Sequence, residues 1–278
     1  MVSKAPPSSS QIRQFQRHVF SWWEKNKRDL PWRHTNDPYK ILISEVMLQQ
    51  TQVSRVLPKY REFLQTFPTV AALAAAPPAR IIQAWKGMGY NRRALYLGRM
   101  AKTIMTKHHG RFPSTEKELV GLPGIGRYTA RAVLVFAFRQ QVAMVDTNIR
   151  QIIQHYFFEG VPQSEKAVQQ TADMLIPQKK AWEWHQALMD YGALELSKKR
   201  KKQPPSRPVL PFRETARFYR GRNVGELRQQ SRSRNDLADA IKAKYKKSSA
   251  FTNNILTSLL RDGLIEESSP DYFRLPAK

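Results

Sequence analysis

LPGIGRYTA at residues 122–130 places two glycines around one apolar residue, directly ahead of an apolar run that extends to residue 138. A turn of this kind exposes backbone N–H groups near a helix N-terminus, where an anion such as a phosphate can dock. VDTN follows at residues 145–148, after a stretch rich in Ala, Val and Phe that is long enough for a buried helix. Alone, either segment indicates only helix capping, by a glycine turn in the first case and by Asp146 in the second.

The bulk composition is strongly basic, with a formal net charge of +25 over 278 residues. Such a charge indicates a polyanionic partner, although solubility or attraction to a membrane surface would also account for it. No apolar run approaches the ~20 residues of a membrane span. The first eleven residues are rich in Pro and Ser without an apolar core, so we expect no secretion signal and a place in the cytoplasm with the nucleoid, or in the nucleus.

Cysteine is absent from the sequence. This absence excludes disulfides, thiol catalysis and a cysteine-ligated zinc or iron–sulfur site. We therefore expect no metal held by cysteine.

Hydrophobic periodicity predicts an all-α body. Apolar residues recur at helical spacing in many segments between residues 12 and 196, whereas alternation of period two is nearly absent before residue 200. The predicted helices include 12–26, 39–50, 92–108, 127–138 and 182–196. No internal repeat is present.

Glu45 lies near the middle of the predicted helix 39–50, among Ile41, Leu42, Val46 and Leu48. Apolar surroundings favour the neutral form of a carboxyl group, which is the form that a general acid needs. A solvent-exposed glutamate on the polar face of the helix is the alternative, and composition alone does not exclude it.

The C-terminal quarter changes character. Residues 198–234 hold thirteen Lys and Arg against only Glu214 and Glu226, which predicts a solvated basic linker or arm that also lies along DNA backbone. Two helices at 235–245 and 250–262, followed by a strand pair at 263–266 and 272–275, give the outline of a winged helix. A DNA-binding module is favoured over a packing appendage.

The predicted organisation is a flexible tail 1–11, a helical domain 12–197, the basic linker 198–234 and a winged-helix-like module 235–278.

With SEVMLQQTQV at residues 44–53 added, these segments resemble the helix-hairpin-helix DNA glycosylases, and most closely their MutY branch, over roughly residues 12–197. The resemblance implies an enzyme that hydrolyses the N-glycosidic bond of adenine mispaired with 8-oxoguanine or guanine in double-stranded DNA. It implies that Glu45 protonates the adenine, and that Asp146, with Asn148 beside it, stabilises the cationic sugar or its covalent adduct. Such chemistry needs two carboxyl groups in different environments.

Tyr128 occupies the position that decides lyase chemistry in this resemblance. Endonuclease III-like relatives have a lysine there, which forms a Schiff base with the sugar and allows the strand to be cut. A tyrosine cannot form that bond, so we predict a monofunctional glycosylase. MutY members and archaeal G·T mismatch glycosylases both accommodate Tyr here, so Tyr128 does not select the base.

The resemblance also assigns a base pocket and a DNA-contacting set. The pocket residues are Trp32, Arg33, Leu48 and Gln186. The DNA-contacting residues are Gln50 and Thr51 at a wedge, Met88 and Tyr90 in a loop beside the opposing purine, and Gly124, Ile125, Gly126 and Arg127 in the hairpin. Side chains that fill the gap offset the few kcal/mol needed to extrude a base. Trp32 and Leu48 would also fit a plain core, and Tyr90 a loop aromatic. The resemblance implies a monovalent cation held by the hairpin carbonyls, and otherwise we expect no cofactor and a monomer.

Three departures from the MutY pattern leave the target base open. The four cysteines of a 4Fe–4S cluster are missing, residues 205–278 are too short for a Nudix-like domain, and Asn91 replaces the second Tyr of a Gly-Tyr-Tyr loop. The first hypothesis is an adenine glycosylase. The second is a thymine or uracil mismatch glycosylase of the same fold, and the third is a non-catalytic DNA-binding protein. The presence of both Glu45 and Asp146 argues against the third.

Overall fold

The computed structural model describes residues 7–196 and 210–277, which are predominantly helical. The helices of this part of the chain are α1 Ser9–Asn26, α2 Pro38–Leu48, α3 Val53–Thr66, α4 Val70–Ala75, α5 Pro78–Ala84, α6 Arg92–Lys107, α7 Glu116–Val120, α8 Arg127–Phe136, α9 Thr147–Phe157, α10 Glu165–Met174, α11 Ala181–Tyr191, α12 Ala216–Leu227, α13 Arg234–Tyr245 and α14 Ser249–Arg261. The strands are β1 Arg232–Ser233, β2 Glu266–Ser269 and β3 Tyr272–Arg274. All three strands lie beyond residue 230, so the predicted all-α body with a small C-terminal sheet is confirmed.

No helix among the described residues combines the length and the apolar character that a membrane crossing requires.

Two compact units share the chain, and each is assembled from separate stretches of sequence. In the described part, the first unit comprises residues 7–45, 113–121 and 125–196. The second comprises residues 46–112, 122–124 and 210–277. The domain boundaries expected from the sequence stay predictions, because they follow the chain continuously whereas the units do not.

The first unit has its core where α1, α9 and α11 contribute apolar faces. The ring of Phe15 packs edge-on against Trp184, with the ring centroids 5.7 Å apart, and Tyr191 is buried nearby in the same cluster. Helix α1 begins at Ser9, within the tail predicted at 1–11 and ahead of the helix start predicted at residue 12. The reason is a capping box in which Ser8 and Gln11 bond each other's backbone N–H groups.

The second unit packs α3, α5 and α6 around buried aromatic rings. Phe63 lies between Phe67 and Trp85, at centroid distances of 5.0 and 5.8 Å. The C-terminal residues belong to this unit, since the Ala79 N–H donates to the Pro276 carbonyl at 2.9 Å. The module is therefore joined to α5 by backbone hydrogen bonding as well as by packing.

The C-terminal module has a winged-helix topology. Its three antiparallel strands are ordered β1-β3-β2, with Arg232 opposite Phe273 and Glu266 opposite Arg274. The strand predicted at 272–275 is present as β3, whereas β2 begins only at Glu266, the last residue of the strand predicted at 263–266. β1 is a third strand that the sequence did not indicate.

Part of the segment that we expected to be a linker is folded. Helix α12 and strand β1 both lie within the segment 198–234 that we expected to be a linker. The reason is that Tyr219, Val224 and Leu227 bury one face of α12, although arginines surround them in the sequence. The part of the predicted linker at 198–209 lies outside the described residues.

Candidate active site

Glu45 is a buried carboxyl group with no cationic partner in the described part of the chain. It lies in α2, and only 4% of its surface is exposed. Burial raises the pKa of Glu45 to about 7, although a hydrogen bond from Tyr128 acts in the opposite direction and the charge of Asp146 adds to the increase. Near neutral pH the group can therefore carry a proton and release it.

Tyr128 is the direct partner of Glu45. As the second residue of α8, it directs its hydroxyl at the carboxyl group, and Oη donates to Glu45 Oε2 at 3.1 Å. Burial and the two nearby carboxyl groups raise the pKa of Tyr128 well above its ordinary value. The phenol therefore stays neutral and occupies one oxygen of Glu45, leaving Oε1 for another partner.

Asp146 occupies the N-cap of α9 and is held by hydrogen-bond donors. Its Oδ1 accepts from the Ile149 N–H at 2.7 Å, and its Oδ2 accepts from the Asn148 side-chain amide at 3.2 Å. Burial raises the pKa of Asp146, while the hydrogen bonds from Ile149 and Asn148 oppose that increase. An N-cap position and several donors favour a carboxylate. The two acids thus differ as the chemistry requires: Glu45 has a single hydroxyl donor, and Asp146 has backbone and amide donors.

Gly192 packs closely against the side chain of Asn148, and the sequence did not indicate this contact. It is the first residue of a π-helical turn, Gly192–Leu196, at the end of α11. A Cβ atom at this position would lie 2.8 Å from Asn148 Cβ. A side chain here would displace Asn148, so the glycine is needed for close approach.

His185 holds the backbone just ahead of Asp146 and was also missed. Its Nε2 accepts from the Met144 N–H at 3.1 Å, and its Nδ1 lies 2.7 Å from the Ala181 carbonyl. Burial lowers the pKa of His185 to about 4, so the imidazole is neutral with its proton on Nδ1. Arg131 adds a bond to the Ala143 carbonyl at 2.9 Å. The roles of His185 and Arg131 are visible only in the structure, because their backbone partners are distant in the sequence.

Arg33, one of the predicted base-pocket residues, takes part in a buried ion pair. Arg33 binds both oxygens of Asp190 at 2.8 Å, and Asp190 has no exposed surface. Arg28 and the Trp23 indole N–H complete the shell of Asp190, at 2.5 and 3.0 Å. Burial tends to raise the pKa of Asp190, but the bonds and charges of Arg33 and Arg28 outweigh it and lower the pKa.

This arrangement commits the guanidinium of Arg33 to Asp190, so its predicted contact with a base stays a prediction. Trp32 and Gln186 are both buried in the first unit, and the half-buried Leu48 belongs to the second.

The hairpin glycines have distinct roles. Gly124 has φ +78°, and a Cβ atom there would lie 2.6 Å from Tyr96 Cβ, so only glycine fits. Gly126 is the N-cap of α8, and no side chain in the described part caps that helix. Ile125 is buried, and Arg127 is exposed and pairs with Glu116 at 2.8 Å. The first turn of α8 therefore presents N–H groups without a side-chain cap, as a phosphate site needs.

The predicted wedge residues lie in two loops of the second unit. Gln50 and Tyr90 are both exposed and have positive φ angles of 53° and 45°, which are rare for residues other than glycine. Met88 is buried, and Thr51 is half-buried. These two loops are thus held in unusual backbone conformations, and Met88 does not face solvent.

Arg93 ties the two wedge loops together. It is 8% exposed, and its Nη1 donates to the Val46, Met47 and Gln49 carbonyls at 2.7 to 3.1 Å. Its Nη2 donates to Thr51 Oγ1 at 3.2 Å and to the Met88 and Gly89 carbonyls at 3.0 and 3.3 Å. Burial lowers the pKa of Arg93 to about 10. Nothing in the sequence indicates this role, because all the acceptors except Thr51 Oγ1 are backbone carbonyls.

A cysteine-ligated cluster has no ligands in this chain, since the sequence contains no cysteine. Within residues 7–196 and 210–277, no group of three or more His, Asp or Glu side chains could hold a metal ion. The residues present therefore do not fit the 4Fe–4S cluster that the resemblance implies for the family.

Comparison with known proteins adds independent support. A model of the HhH-GPD superfamily of base excision DNA repair proteins matches residues 43–178, which include Glu45, Tyr128, Asp146 and Asn148. The adenine DNA glycosylase of Mycolicibacterium smegmatis is 34% identical over 282 residues, covering 92% of this chain and 94% of that protein.

Two further similarities point to the same fold. The thymine/uracil-DNA glycosylase of Methanothermobacter thermautotrophicus is 34% identical over 180 residues, covering 63% of this chain and 81% of that protein. The solved structure of a thermostable thymine-DNA glycosylase has a TM-score of 0.63 at 31% identity, covering 72% of this chain and 90% of that one. Taken with the paired carboxyl groups and the glycine hairpin, these matches show that the chain belongs to the HhH-GPD superfamily of base excision DNA repair proteins, and within it to the MutY-type adenine DNA glycosylases.

Proposed function

We propose that this protein is a monofunctional DNA glycosylase that removes adenine mispaired with 8-oxoguanine or guanine from double-stranded DNA. The observation that carries the proposal is the buried Glu45, whose pKa is raised to about 7 and whose Oε2 is occupied by the hydroxyl of Tyr128. The adenine DNA glycosylase of M. smegmatis, similar over nearly the whole of both chains, supports the choice of base.

In the proposed reaction, Glu45 donates its proton to the extruded adenine as the bond between the base and C1′ of the sugar breaks. The electron pair of that bond leaves with the protonated base, and positive charge develops on the sugar. The carboxylate of Asp146 stabilises that charge. A water molecule then attacks C1′ and gives its proton to Glu45, which restores the acid and leaves an abasic site.

Tyr128 accounts for the absence of strand cleavage in this proposal. A Schiff base with the sugar requires an amine, and the residue that touches Glu45 is a phenol. Any strand scission should therefore require alkali after base release. The enzyme would act as a monomer on DNA, in the nucleoid or the nucleus, without a cysteine-ligated cluster.

The α8 hairpin turn is proposed to bind a DNA phosphate. The first turn of α8 follows Gly126 without a side-chain cap, and Arg127 is exposed beside it. A monovalent cation at the hairpin carbonyls remains part of this proposal.

A thymine or uracil mismatch glycosylase is the second candidate. It is favoured by the 34% identity to the thymine/uracil-DNA glycosylase of M. thermautotrophicus. A DNA-binding protein without activity is disfavoured, because such a protein has no use for a buried, proton-carrying Glu45.

The test is base release from four duplexes, carrying A·8-oxoG, A·G, T·G or U·G, followed by alkali and measurement of strand scission. We expect cleavage at adenine, lost in both Glu45→Gln and Asp146→Asn. Cleavage only at T or U opposite G would establish the second candidate. No release from any duplex, with tight binding retained, would overturn both enzymatic proposals.

A further inference from the structure

A cavity of about 410 Å³ lies within the first unit and is lined by residues of helices α1 and α9. These residues are Gln11, Gln14, Phe15, His18, Tyr156 and Phe157. None of them is a candidate catalytic residue or a member of the predicted base pocket. The volume is at the lower end of the range that small-molecule sites occupy, so the cavity suits a compact ligand.

The cavity differs in charge from the rest of the protein. The chain carries a formal net charge of +25, yet no Lys, Arg, Asp or Glu of the described residues lines this cavity. A phosphate or a carboxylate would find no fixed counter-charge there, and an ion without a partner is costly to bury. The cavity therefore favours an uncharged ligand over a nucleic-acid strand or an acidic peptide.

Aromatic rings form one wall of the cavity. The Phe15 ring lies 4.8 Å from the Tyr156 ring and 5.1 Å from the Phe157 ring, measured between centroids. The Tyr156 hydroxyl is hydrogen-bonded to the Tyr191 hydroxyl, which also lies 3.0 Å from His18 Nε2. Tyr156 is nevertheless 37% exposed. A flat ligand can therefore stack on a ring whose orientation is already fixed.

Two glutamines of α1 supply hydrogen-bonding groups. Gln14 is exposed, and its carboxamide has no hydrogen-bond partner in the described part of the chain. The Gln11 side-chain oxygen accepts from the Ser8 N–H at 2.9 Å, whereas its amide nitrogen has no partner among the same residues. A glutamine carboxamide places a donor beside an acceptor, and this pattern pairs with N6 and N7 of adenine. The polar side of the cavity thus matches the edge of a purine base.

We propose that this cavity binds an uncharged purine, either as the free base or as its nucleoside, with the ring stacked on Tyr156 and its edge paired with Gln14. The inference rests on the proposed function in one respect, because free adenine is the product that excision would release. Since neither Glu45 nor Asp146 lines the cavity, a purine bound there leaves the candidate catalytic groups free for DNA.

The test measures Kd for adenine, adenosine and AMP by equilibrium dialysis against the full chain without DNA. Gln14→Met keeps the length of the side chain and removes the paired donor and acceptor. Gln170→Met is the matched control, because Gln170 is an exposed residue of α10 in the same unit and does not line the cavity. Glu45→Gln separates this site from the catalytic centre, since an adenine-specific centre also has affinity for the free base.

We expect Gln14→Met to weaken purine binding about tenfold, in line with the loss of one bidentate pair. Because Gln14 is exposed, the substitution should leave stability almost unchanged. Gln170→Met and Glu45→Gln should bind the purine as the parent does. The tighter binder of adenine and adenosine identifies the free base or the nucleoside as the ligand. AMP should bind more weakly than that ligand, because no cation of the described lining meets its phosphate.

Equal affinities in Gln14→Met and Gln170→Met would overturn the inference, as would the absence of measurable binding of both adenine and adenosine. Tightest binding of AMP would also overturn it, because the ligand would then lie on a basic surface. Failure of the proposed function gives a different result. If the parent releases no base from any duplex while Gln14-dependent purine binding persists, the cavity stands and the enzymatic proposal falls.

Discussion

Glu45 and Asp190 are two buried carboxyl groups of the same unit whose pKa values are shifted in opposite directions. Glu45 receives one hydrogen bond from a neutral hydroxyl, and burial raises its pKa to about 7. Asp190 is surrounded by Arg33, Arg28 and the indole N–H of Trp23, and its pKa is lowered.

The contrast shows that burial alone does not decide what a carboxyl group does. A buried acid without a cation keeps its proton near neutral pH and can transfer it, as catalysis requires. A buried acid with two arginines is a fixed anion that joins α11 to the segment after α1. Substitution of Glu45 should therefore reduce activity, whereas substitution of Asp190 should reduce stability.

Glu45→Gln should have the largest effect on activity. The substitution preserves the shape of the side chain and removes the transferable proton, so we expect excision to slow by about 100- to 10,000-fold. Single-turnover base release from an A·8-oxoG duplex measures this loss.

Glu165→Gln is the matched control, because the Glu165 side chain is 94% exposed. Its rate should equal that of the parent protein. An excision rate for Glu45→Gln within tenfold of the parent would show that Glu45 is not the acid.

Asp190→Asn should instead reduce stability. It leaves the buried guanidinium of Arg33 without its counter-charge, and removing one partner of such a pair costs roughly 3–5 kcal/mol of unfolding free energy. Urea denaturation at pH 7 gives the value.

Asp29→Asn serves as its control, since the Asp29 side chain is 88% exposed in the same segment of chain. We expect that variant to differ from the parent by less than ~0.5 kcal/mol. A similar small change for Asp190→Asn would contradict a structural role for the ion pair.

Stability as a function of pH sharpens the comparison. The pKa of Glu45 rises from 4.5 in the unfolded chain to about 7 in the folded protein. Glu45 therefore contributes its full share of the unfolding free energy below pH 4.5, and this contribution is lost as the pH rises through about 7. Glu45→Gln should therefore gain about 2 to 3 kcal/mol relative to the parent between pH 5 and pH 8. Asp190 has a lowered pKa, so its contribution is present above its unfolded pKa and is lost only in acid.

Urea denaturation of the parent and of Glu45→Gln at pH 5 and pH 8 gives the difference in their unfolding free energies and tests whether Glu45→Gln gains stability at the higher pH. If the unfolding free energy of Glu45→Gln relative to the parent instead falls from pH 5 to pH 8, Glu45 is charged in the native protein at neutral pH.

The candidate catalytic residues could be proposed from the sequence because they lie in short motifs. Glu45, Tyr128, Asp146 and Asn148 each follow a local pattern, and the structure brings Tyr128 onto Glu45 and Asn148 onto Asp146. Motif residues of this kind can be named without knowing how the chain folds back. The glycine of the hairpin, Gly124, is equally local, since a positive φ is a property of the turn itself.

The supporting residues could not be predicted because their partners are distant backbone atoms. Arg93 binds carbonyls more than forty positions earlier in the chain, and His185 accepts from the Met144 N–H. Neither carries a motif. Helix α12 was missed for another reason, because its arginines hid the apolar face formed by Tyr219 and Leu227. Sequence reasoning thus recovers reacting groups more readily than the residues that position them.

Tyr128→Phe should have the smallest effect and is the finest test of how Glu45 is tuned. The hydroxyl of Tyr128 donates to the carboxyl group and lowers its pKa against the effect of burial. Its removal should shift the alkaline limb of the excision rate to higher pH. At pH 6 the rate should change by no more than about tenfold, in line with one hydrogen bond of about 1 kcal/mol.

The measurement is the single-turnover excision rate from pH 5 to pH 9. Phe at 128 still offers no amine, so strand scission without alkali should remain absent. Combining Tyr128→Phe with Glu45→Gln should give the rate of Glu45→Gln alone, because Tyr128 acts on the reaction through Glu45. An alkaline limb that moves to lower pH would mean that Tyr128 instead stabilises the protonated acid, and that its bond to Glu45 helps to hold the proton before transfer.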